Sequence, residues 1–113
     1  MSLFNFLFSN KDSIYNKIKT VEPNYFNSIN RKQNVQLIDV RTPQEYNKSK
    51  IKGAKNINFY SRNFVAEINQ LNKDRPVLVY CKSGIRSRKS AKKLVRLGFE
   101  EIYDLKGGIM NWR

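Results

Sequence analysis

Val77-Leu78-Val79-Tyr80, followed by Cys81-Lys82-Ser83-Gly84-Ile85-Arg86 and a helical stretch from Ser87, is the segment that decides the fold. A short run of consecutive apolar residues reads as a strand buried on both faces. The loop after it contains glycine, and the helical stretch after that is stopped by Gly98. Strand, short loop and helix start aim backbone N–H groups and a helix N-terminus at the loop centre. Cys81, the single cysteine of the chain, stands at the entrance of that cradle. The thiolate is the nucleophilic form of a thiol, and helix N-termini and nearby cations favour it. Lys82 and Arg86 bracket the sulfur with positive charge, and Gly84 lets the backbone turn tightly. A cysteine kept only for packing is a small apolar residue at a strand end, and packing does not call for this loop. Cys81 is the leading catalytic candidate.

Around this segment, strands and helices alternate from Thr20 onward. Val35–Val40 reads as a buried strand, and Pro43 opens a short helix with Thr42 as N-cap. Gly53-Ala54 marks a turn before a strand over Asn56–Phe59. A helix is expected over Arg62–Leu71, with Phe64, Val65, Ile68 and Leu71 on its inner side. Asp74-Arg75-Pro76 is a turn. The helix Ser87–Leu97 turns Ala91, Leu94 and Val95 inward, Glu101–Leu105 is a last strand, and Gly107-Gly108 precede a short helix ending in Trp112. Such alternation predicts an α/β fold with a parallel sheet covered on both faces. Before it, Leu3, Phe4, Leu7, Ile14, Tyr15 and Ile18 fall near a helical period, which predicts an amphipathic extension over residues 1–19. The apolar start is too short for a signal peptide or a spanning helix. A protein of the cytoplasm, with no transmembrane segment, is expected.

Composition narrows the chemistry. The chain has 113 residues, enough for one domain, and it contains no histidine. Without histidine there is no Ser-His-Asp triad, no Cys-His protease pair and no imidazole metal ligand. With one cysteine there is no CxxC redox pair, no zinc-thiolate cluster and no internal disulfide. No metal and no cofactor is expected, and Cys81 works without an imidazole base or a resolving thiol in the same chain. The net charge is +13, from 22 Lys and Arg against 9 Asp and Glu. Such a surface attracts anions, so nucleic acid or an acidic protein is a weaker candidate partner beside small acidic substrates. From Lys82 to Leu97 there are seven basic residues and no acid. Arg88 and Lys89 lie in the first helical turn, where cations oppose the macrodipole.

Leu37-Ile38-Asp39-Val40-Arg41, Glu45-Tyr46, Ile51-x-Gly53-Ala54, Val79-Tyr80-Cys81-x-Ser83-Gly84-x-Arg86-Ser87 and Leu105-x-Gly107-Gly108-x-x-x-Trp112, taken in this order, resemble the rhodanese-like family. The resemblance covers residues 20–113. It implies a three-layer α/β/α fold around a central, mostly parallel sheet, with the catalytic cysteine in a loop between strand and helix. It also implies a sulfurtransferase, in which Cys81 takes a sulfane sulfur from a donor such as thiosulfate, or from a protein persulfide, and passes it to a thiol or cyanide. On that reading the backbone of Lys82, Ser83, Gly84, Ile85, Arg86 and Ser87 holds the charge of the terminal sulfur, as an oxyanion hole holds oxygen. Arg86, with Lys82, would steer an anionic donor, and Asp39, Arg41 and Glu45 would be structural, shaping the wall beside the site. Ser49-Lys50 and Asn58 stand where many members have Gly-His and Pro. The related phosphatases use Cys-x5-Arg, and here the spacing is Cys-x4-Arg, a cradle too short for a phosphoryl group. The alternative is a non-catalytic or regulatory binding module that uses its basic face.

Overall fold

The computed structural model describes residues 14–113. Five strands form one all-parallel sheet: β1 (Ile18–Val21), β2 (Gln36–Asp39), β3 (Lys55–Asn56), β4 (Val77–Tyr80) and β5 (Ile102–Leu105), in the spatial order β1-β5-β4-β2-β3. The helices between them are α1 (Pro23–Asn30), α2 (Pro43–Lys48), α3 (Phe64–Ile68) and α4 (Ile85–Arg96), and a 3-10 turn spans Ile109–Asn111. The expected α/β class and three layers are present. β4 lies in the middle of the sheet, so loops at the carboxyl ends of β4, β2 and β5 converge, where open α/β sheets place their sites.

Strand alternation divides the core between two faces. Val77, Val79, Cys81, Ile38 and Ile102 share one face with Ala91, Leu94 and Val95 of α4 and Phe64 and Ile68 of α3. Leu78, Tyr80, Leu37, Tyr103 and Leu105 share the other with Phe26 and Ile29 of α1, and Trp112 meets Phe26 edge-on. Each of these fully buried large side chains contributes on the order of 1.5–3 kcal/mol through burial.

Several elements differ from the sequence reading. The strand expected over Asn56–Phe59 pairs in the sheet only at Lys55–Asn56. Ile57 and Phe59 still donate to Asp39 and Val40, but Asn58 then turns the chain, its side chain accepting from the Tyr60 N–H. The helix expected over Arg62–Leu71 is one short turn, and Val65 faces solvent, because only Phe64 and Ile68, one turn apart, reach the core. β1 and α1 had no counterpart among the expected elements. Ile18, counted on the leading amphipathic helix, is the first residue of the edge strand β1 and pairs with Ile102. The remainder of that helix up to residue 13 falls outside the described residues. Among the described residues, no helix is long and apolar enough to cross a membrane.

Candidate active site

The cysteine loop is built where β4 runs out. Cys81 follows Tyr80 directly, and Gly84 adopts φ +109°, a left-handed turn that starts α4. That turn brings the Gly84 N–H to 3.0 Å from Cys81 Sγ, where it donates to the sulfur. The N–H groups of Lys82, Ser83, Ile85, Arg86 and Ser87 find no acceptor among the described residues. They form the expected crown of free donors around the loop, the open end of a helix. Cys81 itself is buried, at 1% exposure. Lys82, Ser83 and Ile85 are exposed above it.

Three features frame the loop. Glu45, the N3 residue of α2, completes a capping box with Thr42: its Oε1 accepts from the Thr42 N–H at 3.1 Å, while the Glu45 N–H donates to Thr42 Oγ1 at 3.3 Å. The same carboxylate accepts from both ends of the Arg86 guanidinium, at 2.7 and 3.0 Å. Hydrogen bonding from Arg86 first, with the Thr42 N–H and hydroxyl assisting against the cost of burial, holds the Glu45 carboxyl at about 2. The fork of Arg86, expected to receive an anionic donor, is thus engaged by Glu45. Arg86 thereby ties the end of the loop to α2. Its guanidinium also lies 5.7 Å from the centre of the exposed Tyr60 ring.

The second is a buried ion pair at the end of β2, Asp39 with Arg41, which braces the neighbouring Ser49 segment rather than the loop itself. Arg41 Nη2 donates to Asp39 Oδ2 at 2.7 Å and to the Ser49 carbonyl at 2.6 Å, and Nε donates to both carboxylate oxygens. The third is Gly108, at φ +66°, whose chain lies on the loop. A Cβ there would sit 2.3 Å from the Lys82 carbonyl oxygen. Ile109 and Met110 N–H groups donate to the carbonyls of Cys81 and Lys82, at 2.9 and 3.2 Å. A cleft of about 320 Å³ opens beside the loop, lined by Arg41, Glu45, Lys48, Ser49, Lys82, Ile109 and Met110. Lys82 and Lys48 give it cationic walls.

Beneath the sulfur, Ser87, expected to act through its backbone, meets Asp104, which the sequence did not single out. The Cys81 thiol faces Ser87 Oγ at 3.5 Å, and Ser87 donates to Asp104 Oδ1 at 2.5 Å. The basic face of α4 is also more specific than its charge indicated. Lys93 stacks on Phe59 and Phe64, Lys92 and Arg96 lie over Tyr15, and Arg96 donates to the Tyr15 hydroxyl at 2.9 Å. Among the described residues, no group of acidic residues and cysteine is gathered as a metal site.

Parallel sheet, strand–loop–helix cysteine and a run of unpaired backbone donors define a single-cysteine α/β domain with its cysteine at the carboxyl end of the central strand. The chain belongs to the rhodanese-like domain family, whose pattern residues 22–113 match. It is 39% identical to the uncharacterized protein YqhL of Bacillus subtilis over 95 residues, covering 84% of this chain and 72% of that protein. It is 38% identical over 80 residues to the thiosulfate sulfurtransferase GlpE of Shewanella oneidensis, covering 71% of this chain and 77% of GlpE. The fold superposes on the crystal structure of a rhodanese-like domain protein from Staphylococcus aureus with a TM-score of 0.72. The two are 27% identical, and the match covers 84% of this chain and 91% of the other.

Proposed function

We propose that the protein is a sulfurtransferase that carries sulfane sulfur on Cys81 as a persulfide. The observation that carries this reading is the set of unpaired N–H groups between Lys82 and Ser87, in the loop that follows Cys81, with the Gly84 N–H donating to the sulfur. A terminal sulfur bonded to Sγ would carry negative charge into that crown, where preorganised donors are worth more than water. The Cys81 thiolate attacks the outer sulfur of thiosulfate. The new S–S bond forms as the bond to the sulfonate sulfur breaks, and sulfite leaves with the electron pair. An acceptor thiolate or cyanide then attacks the outer sulfur of the persulfide and returns Cys81 as thiolate. Lys82 and Lys48, along the cleft, favour an anionic donor. Ile85, Tyr60 and Met110 are exposed apolar groups near the loop and suit a protein persulfide as the donor. A free thiol nucleophile fits a reducing compartment, and the cytoplasm is the proposed location.

The test is the intact mass of the protein after incubation with thiosulfate. One added sulfur is expected, removed by a later thiol and absent in Cys81→Ser. An unchanged wild-type mass with several sulfane donors would refute the reading.

A further inference from the structure

A chain without histidine still has to dispose of the proton on its thiol, and the structure offers one group for it. Asp104 lies on β5 with no exposed surface and no ion-pair partner among the described residues. Its Oδ1 accepts from Ser87 at 2.5 Å and its Oδ2 from Thr20 at 3.2 Å. The Ser87 hydroxyl has one hydrogen, and the contact to Asp104, shorter than the 3.3 Å to the Gly84 carbonyl, directs it to the carboxylate. That leaves a Ser87 lone pair facing the Cys81 S–H, 3.5 Å from Sγ. The three groups form an unbroken chain from the nucleophile to a buried carboxylate.

We propose that Asp104, acting through Ser87, receives the proton of the Cys81 thiol and so positions Cys81 as a thiolate. The S–H bond breaks and its proton passes to Ser87 Oγ. The proton already on Ser87 passes to Asp104 Oδ1. The products are a thiolate and a neutral carboxylic acid, and the summed charge of the three groups is unchanged. The thiolate is then met by hydrogen bonds from Ser87 and from the Gly84 N–H, while Asp104 donates to Ser87. The exchange is favoured because a buried carboxylate is costly when no cation is in direct contact with it. The groups that face Asp104 are Thr20 from β1, Val79 from β4, and Ser87 and Arg88 from α4. Burial raises the Asp104 carboxyl above its ordinary value, against the Ser87 and Thr20 hydroxyls and the charge of Arg88. Arg86 and Lys82 lie toward the sulfur end. Moving the negative charge from Asp104 to Sγ carries it from the sheet into the crown of N–H donors.

The consequence for pH is specific. Cysteine and aspartate share one negative charge across the neutral range, so the thiolate fraction there does not change with pH. The measurement is the alkylation rate of Cys81 by iodoacetamide, a neutral reagent, as a function of pH. Wild-type protein should show a level shelf through the neutral range. Asp104→Asn and Ser87→Ala should replace the shelf with a single rise of about tenfold per pH unit, as for an uncoupled thiol. Ser87→Thr, which keeps the hydroxyl, should restore it. A wild-type profile without a shelf would overturn the proposal, and so would a shelf kept by Ser87→Ala, which does not depend on how Asp104→Asn folds.

The proposal draws on the sulfur-transfer reading only for what the thiolate attacks, and the two fail separately. Protein that takes up sulfur from thiosulfate without a shelf refutes the relay. Protein with a shelf that takes up no sulfur refutes sulfur transfer and supports the relay.

Discussion

Glu45→Gln isolates one carboxylate that serves two elements at once. Wild-type Glu45 caps α2 and pairs with Arg86, and these contacts hold its carboxyl at about 2, against an ordinary value of 4.5. At about 1.4 kcal/mol per pH unit, that difference sets a ceiling of about 3 kcal/mol of stability tied to the ionised form. The Glu45 side chain keeps 28% of its surface in solvent, and screening there brings the expected contribution to about 1–2 kcal/mol. The sign follows from the direction. A carboxyl held low in the folded state contributes fully above its unfolded value near 4.5, and the contribution is lost as pH falls from there through about 2. Gln keeps the shape and can still accept from Thr42, but it presents a single acceptor without charge to Arg86. Urea unfolding at neutral pH should show the variant less stable by about 1–2 kcal/mol, and the deficit should shrink steadily as pH is lowered toward 2. A deficit that stays constant with pH would mean that packing, not charge, carries the contact. A deficit below about 0.5 kcal/mol at neutral pH would refute the two-element role of Glu45.

Gly108→Ala sets a Cβ 2.3 Å from the Lys82 carbonyl oxygen at φ +66°, so backbone has to move; unfolding should show a loss of at least about 2 kcal/mol, and a loss under about 0.5 kcal/mol would mean that the loop is not held from that side. Lys89, the fifth residue of α4, lies just past a first turn that has no acid, so Lys89→Glu should raise stability by no more than about 0.3 kcal/mol, read by the same unfolding experiment; a larger change of either sign would show that Lys89 makes a contact the dipole argument omits.

The centre of the fold was legible because its signals are local. Val77–Tyr80 is a short apolar run, Gly84 is the left-handed turn it was expected to be, and Thr42 and Glu45 three residues apart form the capping box. The edge was not. β1 exposes Lys19 and Thr20 between half-buried ends, and α1, Pro23–Asn30, is rich in asparagine and serine, weak helix formers whose helix is held by Phe26 and Ile29 against the sheet. At the site, Cys81 was evident from its loop, but the contacts that hold or charge it are separated in sequence. Glu45 and Arg86 are 41 residues apart. Thr20 and Asp104 are 84 apart and meet only because β1 lies beside β5. No spacing rule links such pairs, so the pairing of Arg86 with Glu45 was not part of the sequence reading. Asp104 had no reading as an acid at the site at all.

The loop therefore owes its shape to three separate parts of the chain. Glu45 of α2 grips its far end through Arg86, the Gly107–Met110 segment lies against the carbonyls of Cys81 and Lys82, and Asp104 of β5 reaches it from below through Ser87. The division matters for chemistry. The outer holds engage loop carbonyls and a guanidinium, groups pointing away from Sγ, and leave the N–H groups unspent. The inner hold engages the one hydroxyl that touches the sulfur. A loop whose acceptors are tied and whose donors are free is set to receive negative charge, and it pays its ordering cost on folding rather than when a donor arrives. On the proposed mechanism, Cys81 serves without imidazole because stabilisation of the charge and disposal of the proton fall to different groups, the loop N–H donors and the Ser87–Asp104 pair. Substitutions on the two sides should accordingly separate in their effects, those at Gly108 and Glu45 altering loop stability and those at Ser87 and Asp104 altering the pH response of the thiol.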